Sequence, residues 1–178
     1  KNKENTFPDC ERNQGWTMNY LDTSSFVKYY RYEADEKGAD EIIGLIDDAK
    51  KEKVTLISSF LLVGECISVF DKWVRYKFIS PEESNRTIKK FIRDIQELSN
   101  NGMLILEPVS TSTITNCLEL ITKHHLSIND AIHLYAALSN KSLIDQFICS
   151  DKLLLKAAKS EGFKIFNPEE NNWIQVKY

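Results

Sequence analysis

From Met18 onward the chain alternates short apolar runs with stretches of helical period. Asn19-Tyr20-Leu21 reads as a strand that stops at Asp22, and Phe26, Val27 and Tyr30 then share one helical face. Residues 38–51 keep that period, with Ile42, Ile43, Leu45, Ile46 and Ala49 on the apolar side. Val54-Thr55-Leu56-Ile57 is rich in β-branched residues and reads as a second strand. Ser58-Ser59 offers an N-cap to a helix over Phe60–Arg75. Ser80-Pro81-Glu82-Glu83 joins a capping box to a proline at the first helical position, and this helix runs to about Leu98. Asn100-Asn101-Gly102 stops it, and Met103–Leu106 is a third strand ended by Pro108.

The last third repeats the logic. Residues 112–124 are helical in period, and Ser127-Ile128-Asn129-Asp130 is a second capping box, opening a helix over Asp130–Ser139. Phe147-Ile148-Cys149 is a fourth strand, Ser150 caps a helix over Asp151–Ser160, Gly162 ends it, and Lys164-Ile165-Phe166 is a fifth strand. Strands alternating with helices imply βαβ units. The expected fold is an α/β three-layer α/β/α sandwich with a mostly parallel five-stranded sheet. Residues 1–17 (KNKENTFPDCERNQGWT) are polar and aperiodic, and without an apolar h-region they are no secretory signal. They are expected to be an extension or an expression remnant, leaving 18–178 as the domain.

Composition narrows the class. The 178 residues are 42% hydrophobic and 28% charged, as in ordinary globular chains, which excludes collagen-like, coiled-coil and disordered classes. No apolar run approaches the roughly 18 residues of a membrane span, so no membrane partner is expected. Three of the cysteines lie in apolar stretches and read as small core residues of a reducing compartment, so a cytoplasmic location is expected. Cys10, Cys66, Cys117 and Cys149 are too scattered for a zinc knuckle or a disulfide framework. There is no GxGxxG, P-loop or GxSxG, so dinucleotide, nucleotide and serine-hydrolase chemistries lack support. The net charge of −3 is not that of a simple nucleic-acid binder. Basic residues nonetheless gather at Lys72, Arg75, Lys77, Arg86, Lys89, Lys90 and Arg93. Such a run is usually a solvated helix face, although it can also track phosphates.

Four carboxylates carry the candidate chemistry. Asp22 directly follows the first strand, at the edge where open parallel sheets bind ligands, although it would also cap a helix. Glu65 lies in the most apolar helix between Leu61 and Val69, and a buried carboxylate needs a cation, a metal or a polar cleft. Lys72 and Arg75 are seven and ten residues on and do not face it closely. Asp130 and Asp151 sit in first helical turns, where an acid also favours the helix dipole. As a set, four acids converging on one sheet edge would repel unless a divalent cation neutralised them, and oxygen ligands suit Mg²⁺ or Mn²⁺. His133, one turn into an apolar helix, reads as a core or supporting residue rather than a ligand.

These residues resemble a PIN domain, the fold of VapC-type toxin ribonucleases. The likeness lies in Tyr20-Leu21-Asp22-Thr23-Ser24, Ser59 with Glu65, Leu126-Ser127-Ile128-Asn129-Asp130-Ala131-Ile132-His133-Leu134 and Cys149-Ser150-Asp151-Lys152-Leu153-Leu154, ending in Gly162 and Asn167-Pro168. The resemblance implies an endoribonuclease in which Asp22, Glu65, Asp130 and Asp151 hold Mg²⁺ or Mn²⁺, with Thr23, Ser24 and Ser150 orienting the acids. It further implies hydrolysis by a metal-activated water, an RNA substrate, a possible cognate antitoxin and a homodimer. Phe26, Tyr29, Tyr30, Phe70 and Trp73 exceed what one face of each helix is expected to bury, which points to the same dimer. Two features depart from the family pattern: Leu154 and Leu155 stand where many relatives carry a further acid, and residues 76–102 are longer than in compact toxins. The rival reading is a non-catalytic PIN-fold module that binds RNA or protein.

Overall fold

The computed structural model describes residues 17–31 and 36–170. The expected extension, residues 1–17, lies outside the described residues except for Thr17, which already belongs to the first strand.

The strands are β1 (Thr17–Leu21), β2 (Val54–Ser59), β3 (Leu104–Glu107), β4 (Gln146–Ile148) and β5 (Ile165–Phe166). They form one sheet in the order β3-β2-β1-β4-β5, and every pairing is parallel. The helices are α1 (Thr23–Phe26), continued by a 3-10 turn over Val27–Tyr30, α2 (Ala39–Lys50), α3 (Leu61–Arg75), α4 (Pro81–Asn100), α5 (Thr111–His124), α6 (Ile128–Ser139) and α7 (Lys152–Ser160). The period-2 alternation of strands decides what each face holds. Leu21, Leu56 and Ile148 point into a core built with α2, α3 and α4, whereas Tyr20, Ile57 and Phe147 point into a second core with α5, α6 and α7. Two apolar layers on opposite faces of one sheet give the three-layer sandwich that the alternation of elements implies.

Three helix starts differ from the expectation. β2 continues through Ser58 and Ser59, both fully buried, and α3 begins without a side-chain cap, although Ser59 Oγ accepts from Leu61 N–H at 3.3 Å. The cap of α6 is Ser127, so the helix opens at Ile128 and Asp130 already lies within its first turn. The cap of α7 is Asp151 itself, which accepts from Leu154 N–H at 2.8 Å, while Ser150 turns toward α1. A carboxylate caps as well as a hydroxyl does, so spacing alone does not choose between neighbours.

The aromatic surplus has an internal destination. Phe26, Tyr30 and Phe70 are buried with Phe91 of α4, and Trp73 packs beside Phe70 at a centroid distance of 5.3 Å. This cluster, not a subunit face, takes up the rings, because the long α4 covers them. The dimer argument built on these aromatics therefore fails. Near the same place Asp94 of α4, almost fully buried, accepts from Tyr30 O–H at 3.0 Å and from Lys50 Nζ at 2.7 Å. Removing one member would leave buried polar atoms unpaired, so the network fixes how α4 sits on α2.

A candidate active site at the carboxyl edge of the sheet

β1 and β4 are neighbours whose onward connections leave in opposite directions, so the sheet has its switch point between their carboxyl ends. Asp22 stands there, with its N–H donating to Ile148 O at 3.0 Å. It is 5% exposed and does serve as the N-cap of α1. Its Oδ2 accepts from Ser24 N–H at 3.0 Å, from Ser24 Oγ–H at 2.7 Å and from the Cys149 thiol at 3.4 Å. Burial first, and then the charge of Asp22, push that thiol well above its ordinary value, so it remains a protonated donor. Oδ1 of Asp22 takes no hydrogen bond among the described residues and lies 3.6 Å from His133 Nδ1.

Glu65, one turn into α3, reaches the same histidine. Its Oε2 accepts from Thr23 Oγ–H at 2.6 Å and from His133 Nε2–H at 2.8 Å, and its Oε1 accepts from Asn129 Nδ2 at 2.9 Å. Burial by itself would raise the Glu65 pKa, but the bonds from His133, Thr23 and Asn129 outweigh it and hold the carboxyl below its usual range. The side chain is a quarter exposed rather than sealed in the apolar face that its neighbours suggest, and its partner is His133 rather than Lys72 or Arg75. His133 is 1% exposed, and its Nδ1 lies 2.8 Å from Tyr20 Oη, which also accepts from Ser59 N–H at 3.2 Å. Burial pulls the imidazole pKa down, yet the charges of Asp22, Glu65 and Asp130 and the bond to Glu65 raise it overall. The histidine therefore joins β1, α3 and α6 as a supporting residue.

Asp130 is half-buried at the start of α6, and Ser127 Oγ–H donates to its Oδ2 at 2.7 Å. Its pKa is raised, by burial first and then by the nearby Asp151 and Asp22 charges, with the Ser127 bond opposing. Asp151 is exposed. The Asp22 and Asp151 charges thus act on Asp130, and Glu65 is tied to this set through His133. The four acids are not equivalent: both Glu65 oxygens already accept hydrogen bonds, and Asp151 is partly spent on its cap.

Among the described residues, no three or more His, Cys, Asp or Glu side chains are grouped to hold a metal ion as they stand. The donors nevertheless fit a hard divalent cation in kind: all are carboxylate oxygens, Asp22 Oδ1 has no hydrogen bond, and Asp130 feels two like charges. Asn129 is the contributor that the sequence does not reveal. Its place beside Asp130 carries no periodic signal, because its contact is made across helices to a residue 64 positions away.

The parallel α/β sheet with its switch point between β1 and β4 places Asp22 where open sheets of this class bind their ligands. The PIN domain family model matches residues 20–160, and the chain belongs to that family. PIN domains are generally nucleases that use divalent metals, which supports a hydrolytic role. Two solved structures share the fold. PAE2754 from Pyrobaculum aerophilum is 18% identical, with a TM-score of 0.55 over 86% of this chain and 92% of that one. A chain of FitAB, solved bound to the IR36 DNA fragment, is 14% identical, with a TM-score of 0.55 over 88% of this chain and 97% of that one. No curated protein matches the chain in sequence. No helix among the described residues is long and apolar enough to cross a membrane.

Proposed function

We propose that the chain is a divalent-metal-dependent endoribonuclease of the VapC-like kind. The observation that carries this reading is the meeting of Asp22 and Glu65 on one buried histidine, on which the Asp130 charge also acts. A lone helix cap needs no such arrangement. Asp22, Glu65 and Asp130 are the residues that would hold Mg²⁺ or Mn²⁺, with Asp151 adding its charge near Asp130. Bound there, the ion would polarise a phosphodiester and make a water nucleophilic at neutral pH. The chain's own groups orient the carboxylates: Ser24 and Cys149 fix Asp22, Thr23, Asn129 and His133 fix Glu65, and Ser127 fixes Asp130. A homodimer and a cognate antitoxin belong to this proposal through the family resemblance, and a cytoplasmic location through Cys66, Cys117 and Cys149, which are buried free thiols. The FitAB assembly on DNA supports a search for a DNA-binding partner of this chain.

Asp130→Asn tests the reading. The substitution keeps the shape and the Ser127 bond and removes one of the crowded charges. Mn²⁺-dependent cleavage of single-stranded RNA should fall by more than the roughly 10–100-fold that an outer partner of a ligand is worth. Metal-free melting temperature should hold or rise. Cleavage that survives, together with a loss of stability, would leave Asp130 only as an acid that stabilises the first turn of α6, and would overturn its place in the metal site.

A further inference from the structure

The α3–α4 turn presents chemistry that the carboxylate cluster does not use. Tyr76 and Phe78 are each 61% exposed, and their ring centroids are 6.1 Å apart. The turn that carries them is fixed: Phe78 N–H donates to Trp73 O at 2.9 Å and Lys77 N–H donates to Val74 O at 2.9 Å, with Lys77 at φ 61°. A cleft of about 420 Å³ opens beside Phe78, lined by Val74, Lys77, Ile79, Ser80, Pro81 and Glu83, whose carboxylate is held by Ser80 N–H at 2.8 Å. Residues 72–93 carry seven Lys or Arg and two Glu in a chain whose net charge is −3. Arg75 is committed to Asp71 at 2.8 Å and Lys90 lies over the Tyr29 ring, but Lys72 and Lys77 have no acidic partner among the described residues. Lys72 Nζ instead sits over the Tyr76 ring, 5.8 Å from its centroid.

The turn also stands on the side of the acids. Leu98 of α4 precedes β3, whereas Phe91 meets Phe26 just beyond the carboxyl end of β1. α4 therefore descends from the carboxyl edge, and Pro81, ten residues before Phe91, lies roughly 15 Å farther along the helix on that side.

We propose that Tyr76 and Phe78 form a stacking platform for unpaired bases of single-stranded RNA, with Lys72, Lys77, Arg86 and Lys89 taking the adjoining phosphates. Exposed rings on a hydrogen-bonded turn, beside Lys72 and Lys77 that have no acidic partner among the described residues, match an anionic chain with free π-faces, because each base stacks whatever its identity. A merely solvated helix face would need the charges but not the rings. The inference deepens the nuclease reading and rests on it, since it supplies the grip on substrate outside the carboxylate cluster.

The test measures binding apart from cleavage, in EDTA and in the Asp130→Asn background, by fluorescence anisotropy of a labelled 12-nucleotide single-stranded RNA. Tyr76→Ala with Phe78→Ala should weaken binding tenfold or more, whereas Tyr76→Phe should retain it. Lys72→Gln with Lys77→Gln should lower the slope of log affinity against log salt by about 0.7 for each phosphate no longer neutralised. The single strand should outcompete a duplex of the same sequence. Affinity unchanged within twofold in the double alanine variant, or equal binding of the duplex, overturns the platform and leaves the rings to a protein partner. Mn²⁺-dependent cleavage by the chain with Asp130 intact is scored separately, so failure of the platform and failure of the nuclease reading are told apart.

Discussion

At the residue scale the site is decided by which hydrogen bonds each carboxylate receives. Thr23 is the clearest case: it is buried, one position after Asp22, and its hydroxyl is spent on Glu65, 42 residues away. Thr23→Val keeps the shape but removes that donor, leaving Glu65 with His133 and Asn129. The loss of one hydrogen bond to a charged group should cost about 1.5–3 kcal/mol in urea unfolding. Cleavage should drop about 10–100-fold, as expected for an outer partner of a ligand. A Thr23→Val protein that is less stable but fully active would show that Glu65 needs no such positioning. Ser24 and Ser150, grouped with Thr23 by resemblance, divide the work differently: Ser24 bonds Asp22 directly, whereas Ser150 N–H donates to Ser24.

At the scale of elements, closure of the fold depends on a contact that no local pattern announces. Gly38 caps α2 at φ 80°, and a Cβ there would stand 2.5 Å from the Pro168 backbone, beyond β5. Lys28, buried after α1, reinforces the junction by pairing with Glu36 at 3.1 Å and Glu169 at 2.8 Å. Gly38→Ala therefore meets both a left-handed backbone and a clash with rigid main chain, and should destabilise by about 2 kcal/mol or more. Gly44, exposed in the middle of α2 with nothing within 4 Å of a Cβ, is the control. Gly44→Ala should stabilise by about 0.5–1 kcal/mol through helix propensity alone. Chemical denaturation of both variants checks the pair, and equal effects would remove the role assigned to Pro168.

At the scale of the whole molecule, stability should carry an acid-side dependence set by Glu161, which ties the end of α7 to α5. Its carboxyl accepts from Lys123 at 2.8 Å and from His124 at 2.6 Å, and the Lys123 bond first, then the His124 bond, lower its pKa. A lowered acid pKa stabilises the folded state above the unfolded value near 4.5, and that stability is lost as pH falls through the folded value. Glu161→Gln should melt lower than the parent above about pH 5, by no more than about 4 °C because the pair is partly solvated. The gap should close toward about pH 3, where the carboxyl is protonated in both states. A gap that persists there would mean the charge is not what joins the two helices.

The alternation of apolar runs and helical periods determined the layered fold, because a strand between two apolar layers and a helix with one apolar stripe can be covered in few ways. Asp22, Asp130 and Asp151 were legible for a related reason: they stand at helix starts after strand ends or capping signals, and a parallel sheet puts those points on one edge. Glu65 was legible only as an acid in the wrong place. That its partner is His133, that Tyr20 holds the ring from below and that Asn129 completes the shell depended on α3, β1 and α6 meeting across dozens of intervening residues. The same is true of the aromatics. Their number could be read from the chain, but only the packing of α4 decided that they lie inside, since side chains far apart in sequence compete for one volume that the assembled helices alone define.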